Sequence, residues 1–541
     1  NKIYLDAYTQ EANASGESYP LAYNQFSNLM QNGMLFMDYS GHGSANNICS
    51  EGFLTLASVQ KMTNANLAFW ALATCNFAHF DQAETCSAGA AVLNPYGGAI
   101  GVFSADRTVY ASNNKNINMN LCDTLFGHRN AFHYDMTLGQ ACAAAKNMTG
   151  NDDNKLPYVL LGDPAVKLAY PTQYEVVSTS PLDTLNALEH VRVEGYIRAE
   201  DNLPQTGDTA TWFNGRVTIS VYDKLQRVTT RDNDEPNPDK KQYYTYNDHP
   251  NCLFKGETQV TDGHFTAEFM LPKDIRYNYG EGRIVFYALD TLSGEEGIGY
   301  DHSFTIGGSS PVALIDSVGP DLTLYLNDPL FSNGGKTNET PHFYADIYDE
   351  NGINTVGSGI GHDLMLVVDN DPVQTYTLND YFTAQLGNYR QGRVSYRLAE
   401  MAEGQHSLTF RAWDLLNNSS TASLQFEVVP GLDVQLFRVL VYPNPVHAED
   451  VLHLSVNHDK PDDWIHTCLR IYNVSGQLVR VIEQDAADMT IPMSQLGLST
   501  GVYIYQLNSV YILYNECFHQ VQIHIYNFYI HNHYLFFFEK Y

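Results

Sequence analysis

The strand pattern of this chain breaks near residue 171, and that break constrains the fold more than any other feature. Before it, four runs (KIYLDAY, MLFMDYS, LAFWALAT and GGAIGVFS) are apolar along their length and do not alternate. Such runs suit strands buried on both faces, as in a parallel sheet covered by helices. FLTLASVQKM, between the second and third runs, has Leu56, Val59 and Met62 at helical spacing. NKNINMNLCDTLF and MTLGQACAAAKNM follow the fourth run and are helical by pattern. The alternation predicts an α/β layer with a mostly parallel sheet. After residue 171 the helical signals fade. Short alternating runs such as GRVTISVYD, GRIVFYALD, HFYADIYD and DLMLVVD are punctuated by NG, SG and DG turns. They predict two Ig-like β-sandwiches, over 172–308 and 309–431, meeting near the GGSSP stretch.

Composition narrows the class. A chain of 541 residues is too long for a single core, and roughly three to five domains are expected. With 30 basic and 61 acidic residues the formal charge is −31. Nucleic acid is a poor partner for such a surface, because phosphate binding depends on Lys and Arg. The 37 tyrosines and 39 glycines favour β-structure and turns. No stretch reaches the ~18 apolar residues of a membrane helix. The chain opens at Asn1 without methionine or signal peptide and reads as a fragment whose upstream part is missing. The eight cysteines are scattered without CxxC pairs, so no zinc site is expected, and export would place them where disulfides can form.

Two of the apolar runs end on reactive residues. MLFMDYS leads into GHGS, with His42 between glycines, and NLAFWALATC ends on Cys75. The separation accommodates one βαβ crossover, which would set the two strands side by side and their ends at one edge. Functional groups gather at that edge in open α/β sheets. A thiol there is a nucleophile if a histidine takes its proton, and flanking glycines can present backbone N–H groups to an oxyanion. On the residues alone, a loop histidine beside a buried core thiol is the favoured reading, by about two to one, since free cysteines are commonly just buried.

MDYSGHGSAN, ATCNFAHFD, NPYGGAIGVFSADRTVYASN and LPYVLLGDPAVKLAYP, in that order, resemble the gingipain family of cysteine peptidases, relatives of caspases and legumains. The likeness spans 1–171 and is strongest to the sortase members that serve type IX secretion. It implies a caspase-like (gingipain-like) α/β catalytic domain with Cys75 as nucleophile and His42 as general base and acid. The N–H groups of Gly43 and Cys75 would form the oxyanion hole. The family's acidic partner of the histidine lies upstream of this motif and is not assigned; Asp38 reads as a strand-end surface residue. Asp106 and Arg107, after the GGAIGVF strand, are candidates for lining the substrate pocket. His79 and Asp81 read as support for the nucleophile loop, and Cys49 and Cys86 as structural. No metal is expected at the site. RDNDEPNPD at 231–239 has carboxylates that could hold a structural calcium, but reads better as a solvated hairpin tip. GDPA at 162–165 reads as a structural turn.

VYPNPV, LRIYNVSGQLVR and LSTGVYIYQL, within 432–507, resemble the C-terminal signal domain of type IX secreted proteins. The tail over 508–541, dense in Tyr, Phe, His and Ile, lacks domain-like patterning and reads as out of frame, an aggregation liability if translated. The resemblance implies a protein exported by type IX secretion to the cell surface or outer membrane of a Gram-negative bacterium. Its partners would be cargo proteins with C-terminal signal domains, outer-membrane components of the secretion machinery and an anionic lipopolysaccharide acceptor. The expected activity is a sortase that cleaves the signal domain through a thioester. A hydrolytic secreted endopeptidase and an inactive surface adhesin are the alternatives.

Overall fold

Strand Ala68–Ala73 is buried at every position and organises the N-terminal unit. In the computed structural model all residues are described except 1, 14–15, 65, 128–135, 172–173, 181, 200–208, 236, 250, 313, 357–360, 373, 431, 433–435, 445, 447–449, 459–464, 485, 487, 500, 512–521 and 531–541. Four strands, β1 (Phe36–Ser40), β2 (Ala68–Ala73), β3 (Ala99–Ala105) and β4 (Tyr158–Gly162), form one sheet in sequence order. β1–β2 and β2–β3 are parallel and β3–β4 antiparallel. Alternate residues of β2 feed two cores, as the period-two pleat requires. Trp70 and Leu72 pack with helices α1 (Pro20–Asn32), α2 (Leu56–Gln60) and α3 (Ser87–Leu93). Phe69 and Ala71 pack with α4 (Ala111–Phe126) and α5 (Leu138–Met148).

α2, α4 and α5 fall where the spacing places helices; α1 and α3 were not predicted. α3 is short and Ala-rich, and its N-cap is Cys86, whose Sγ accepts from Gly89 N at 3.4 Å. One predicted strand is absent. KIYLDAY forms only a single 3-10 turn, Leu5–Ala7, with no buried residue. Its polar groups are used elsewhere, because a loop of the next domain reaches back to this segment.

That next domain corrects the sandwich expected over 172–308. Seven strands, β5 (Tyr174–Ser178), β6 (His190–Ala199), β7 (Gly215–Tyr222), β8 (Cys252–Thr261), β9 (His264–Met270), β10 (Arg283–Asp290) and β11 (Glu296–Asp301), close into a barrel in the order β6-β9-β8-β7-β10-β11-β5. The closing step is the parallel pairing of β11 with β5. Gly299 permits it: a Cβ there would lie 1.9 Å from Val176 O. Closure removes the open sheet edges that a sandwich retains.

Residues beyond 320 form two sheets around one core. One contains Asp321–Leu326, His342–Tyr348, Phe382–Gln385 and Asn388–Arg397. The other contains Gly335–Thr337, Met365–Val368, Thr375–Thr377, Gly404–Trp413 and Ser419–Val428. Phe343, Leu366, Phe410 and Phe426 are fully buried between them. The C-terminal unit also has two sheets, with Leu454, Ile471 and Leu507 in a shared core. Its strand Gly501–Tyr511 runs past the boundary expected at 507 and pairs with Gln522–Ile530. The segment read as patternless thus contains a strand in register.

Candidate functional site

The register of β1 and β2 sets the geometry at one sheet edge. Ser40 pairs with Ala73 as the last partners of the two strands, and Gly41 N donates to Ala73 O at 3.4 Å. His42 and Cys75 therefore each lie two residues past the same level, on adjacent strands. The next strand joins them: Leu72 pairs with Ser104, which brings Asp106 and Arg107 to the same edge. β4 runs the other way, so its start lies at this edge too, with Tyr158 opposite Ala105 and Asp106 N donating to Pro157 O at 2.9 Å.

The histidine loop is fixed through its backbone. The carbonyl of His42 accepts from Cys49 N at 2.8 Å and from the Tyr39 hydroxyl at 2.7 Å, while the imidazole side is exposed. Gly43 bridges Ile48, but the bonds flanking the bridge belong to Ser44 N (to Asn47 O, 2.9 Å) and Cys49 N. Gly43 N takes no part in them. Thr74, immediately before the cysteine, lies directly beneath Gly43. A Cβ on Gly43 would be 2.4 Å from Thr74 Oγ1, and that fully buried hydroxyl has no hydrogen-bond partner. Sequence reasoning passed over Thr74, although its place in ATC beside the cysteine was the available signal.

Cys75 is partly exposed. Its Sγ touches both polar atoms of one backbone unit: Val109 N donates to it at 3.5 Å and it donates to Val109 O at 3.5 Å. No hydrogen bond joins it to His42. Thr74 N bonds Leu72 O and Asn76 N bonds Arg107 O, bracketing Cys75 N without engaging it. Asn76, at φ +57°, makes the turn off the strand. Cys49, Cys122 and Cys142 are poor nucleophiles. Burial pushes Cys49 and Cys122 up to about 11 and Cys142 to about 12, which leaves them as thiols at neutral pH. Cys86 is buried in its capping role. None of the described cysteines is paired in a disulfide; Cys517 lies outside the described residues.

The remaining candidates separate clearly. Arg107 holds Asp81 bidentately, at 3.0 and 2.6 Å, and contacts Asp106 Oδ2 at 3.4 Å. Asp81 in turn lies 3.3 Å from His79 Nε2. The pair ties the loop after Cys75 to the loop after β3, and the guanidinium lowers the Asp81 carboxyl below its usual range. Asp38 is mid-strand, not at a strand end, and accepts from Asn118 Nδ2 at 2.6 Å. GDPA makes the turn after β4, where Asp163 Oδ1 accepts from Ala165 N and Pro164 O accepts from Gly139 N. The acidic run 231–239 lies in the loop of a hairpin, Gln226–Thr229 with Thr245–Asp248, and is exposed at 237–239, while its first residues dock on the N-terminal segment. The Asp6 carboxylate accepts from Asp232 N and Asn233 N, both at 2.9 Å. Arg231 N bonds Asp6 O, and Asp234 accepts from Gln10. Among the described residues, ligand-like carboxylate spacing occurs instead at Asp316, Asp349 and Asp414, whose oxygens lie within 4.8 Å of one another. This cluster lies outside the catalytic unit, and no spacing in the sequence announces it.

Residues 1–169 match the sequence model of peptidase family C25. This segment belongs to peptidase family C25. Residues 440–516 match the secretion system C-terminal sorting domain. Among solved structures, the chain is similar to dimeric latent PorU from Porphyromonas gingivalis, at 27% identity and TM-score 0.33, covering 80% of this chain and 41% of that one. It is also similar to RgpB pro- and mature domains of the same organism, at 15% identity and TM-score 0.25, covering 52% of this chain and 57% of that one. The chain thus spans less than two thirds of either. No curated protein matches it. No helix among the described residues is long and apolar enough to cross a membrane. In the C25 segment, then, one sheet edge holds a histidine loop, a partly exposed thiol, two backbone N–H groups outside the local pairing and an Arg–Asp clasp.

Proposed function

We propose that the chain is a cell-surface cysteine peptidase of the gingipain type, acting as a sortase on type IX cargo. The observation that carries the reading is the shared level of His42 and Cys75 at one edge of a C25-type sheet. The sorting-domain match in the same chain supports export by type IX secretion.

In the proposed mechanism the Cys75 thiol gives its proton to the His42 imidazole, and Sγ attacks the carbonyl carbon before the cargo's signal domain. The oxyanion is received by the N–H groups of Gly43 and Cys75. His42 returns the proton to the leaving amine, and the C–N bond breaks to give a thioester. An amine of an anionic lipopolysaccharide then attacks the thioester, losing a proton to His42 as the C–S bond breaks, and the cargo is joined to the surface. Neither step calls for a metal.

The test is mass spectrometry of a cargo peptide spanning the signal junction, incubated with enzyme and graded amounts of an amine. Amide product rising with amine concentration is the expected result. Free acid at every amine concentration, with cleavage of proteins lacking a signal domain, would replace the sortase reading with a hydrolytic endopeptidase.

A further inference from the structure

Between α1 and α2 lies a cavity of about 290 Å³ that contains none of the residues placed at the catalytic edge. Ligand pockets begin at about that size, roughly 300 Å³. Its apolar lining is Tyr23, Phe26, Met30 and Met62, with Phe26 and Met30 buried. Methionine suits a flexible apolar ligand, because its unbranched thioether repacks easily. The lining carries one formal charge, the Lys61 ammonium, and no carboxylate. That sign is unusual in a chain of 61 acidic and 30 basic residues. Lys61 is exposed, and its ammonium makes no ion pair or hydrogen bond with any described residue. Ser27 Oγ, on the same lining, is equally unengaged among the described residues. An apolar slot with an unpaired cation beside it complements an amphiphile with a negative head.

Both walls of the groove are tied to the histidine loop. Tyr23 and Phe26 of α1 pack on the Phe53 ring, with centroids 5.9 and 5.4 Å away. Phe53 N donates to Cys49 Sγ at 3.3 Å, and Cys49 N donates to His42 O at 2.8 Å. On the other wall, Leu56 N, at the start of α2, donates to Asn46 O at 2.7 Å. A ligand seated between the helices would therefore restrain the Cys49 and Leu56 amides, and with them the backbone around His42.

We propose that the α1–α2 groove binds a carboxylate with a single acyl chain, the chain against Met30 and Met62 and the head group on Lys61 and Ser27, and that its occupancy steadies the histidine loop. The site stands apart from the sortase reading, since nothing in it uses Cys75. The probe is decanoate, kept below its micelle-forming concentration and titrated into the full chain by calorimetry, with decanol, decyltrimethylammonium and acetate as comparisons. Hydrogen exchange of residues 46–58, followed by mass spectrometry, reports the coupling. Decanoate is expected to saturate one site. Decanol should bind about tenfold more weakly for want of a charged head group, and decyltrimethylammonium and acetate not measurably. Exchange at the Cys49 and Leu56 amides should slow severalfold when decanoate is bound. Lys61→Met keeps an apolar stem without the charge and should bring decanoate down to the affinity of decanol. Ala57→Phe, at an exposed lining position, should block both. Neither residue is buried, so neither change threatens the fold. Failure of decanoate to saturate a site, or binding that neither variant weakens, overturns the site. Equal affinity for decyltrimethylammonium overturns the carboxylate assignment. Binding sensitive to both variants with exchange unchanged overturns the coupling to the histidine loop.

Discussion

Gly43→Ala introduces one methyl group at the point where the histidine loop crosses the strand that carries the thiol. Its Cβ would stand 2.4 Å from Thr74 Oγ1, 3.1 Å from Thr74 Cγ2 and 3.2 Å from Asn47 O. Thr74 is fully buried and cannot swing away, and Asn47 O is engaged by Ser44 N. The loop must therefore lift. Overpacking of this kind costs about 1–3 kcal/mol, or roughly 2–10 °C in the melting of a unit of this size. It also displaces His42 and the Gly43 N–H, so cargo cleavage should fall further than stability does. Thr74→Ala removes both of the closest atoms. Alone it should be nearly neutral, because the methyl contacts it loses are offset by removal of a buried hydroxyl with no partner. In the double variant the melting temperature should recover most of the loss, with a coupling of at least about 1 kcal/mol in the cycle. Calorimetry and cleavage rates on the four proteins decide it. Additive losses, or a Gly43→Ala protein as stable and active as wild type, would falsify the contact.

Further outcomes follow from the same geometry. Cys75→Ala should abolish cleavage while leaving the melting temperature almost unchanged; release of the signal domain at the wild-type rate would remove Cys75 from the mechanism. His42→Ala should lower cleavage by about 10²–10⁴, since base and acid are lost together, and a smaller loss measured at saturating cargo would exclude that role. The Asp349 carboxyl is pushed up to about 6 by burial and by the neighbouring Asp414 and Asp316. The folded state therefore holds its proton more tightly than the unfolded chain, and this carboxyl's contribution to stability is complete below about pH 4 and lost as pH rises to about 6. Denaturant titrations across that window should show a fall of up to about 3 kcal/mol in the unit containing it. Asp349→Asn should flatten the fall; a wild-type stability that rises through the window would reverse the sign of the argument.

Much of the catalytic unit was legible because its signals are local. β2 is buried on both faces, and LAFWALAT says so in consecutive letters. The helices α4 and α5 carry their own periodicity, and α5 its Thr137 capping box. GHGS and ATC each sit at a strand end, so the register that aligns His42 with Cys75 could be anticipated from the lengths between them. What the sequence hid depends on distant partners. KIYLDAY has the composition of a strand, but its polar groups are taken by Asp232 and Asn233. Alternation over 174–301 identifies strands without telling a sandwich from a barrel, which depends on the parallel pairing of Gly297 and Ile298 with Tyr174 and Glu175, a contact that no local pattern encodes. Asn154 holds Tyr110 across a gap in sequence that no motif spans, and the Asp316, Asp349 and Asp414 cluster gathers residues from three separate stretches of the chain.

The hairpin of Gln226–Thr229 and Thr245–Asp248 carries the loop that grips Asp6, while Tyr246 packs on Tyr4 at 4.2 Å and Asn247 O accepts from Lys2. The polypeptide is thereby tied into a ring, covalent through the connection after residue 171 and non-covalent at residue 6. Cutting the connection opens the ring without parting its halves, since the clasp keeps each at high effective concentration for the other. A proteolytic nick there would pass unnoticed in a native sizing column and show only in a denaturing gel. The clasp joins residues more than 200 positions apart, so the chain must bring in nearly half its length before the ring can close. Such a contact contributes little to the early stages of folding and a great deal to keeping the finished pieces in place.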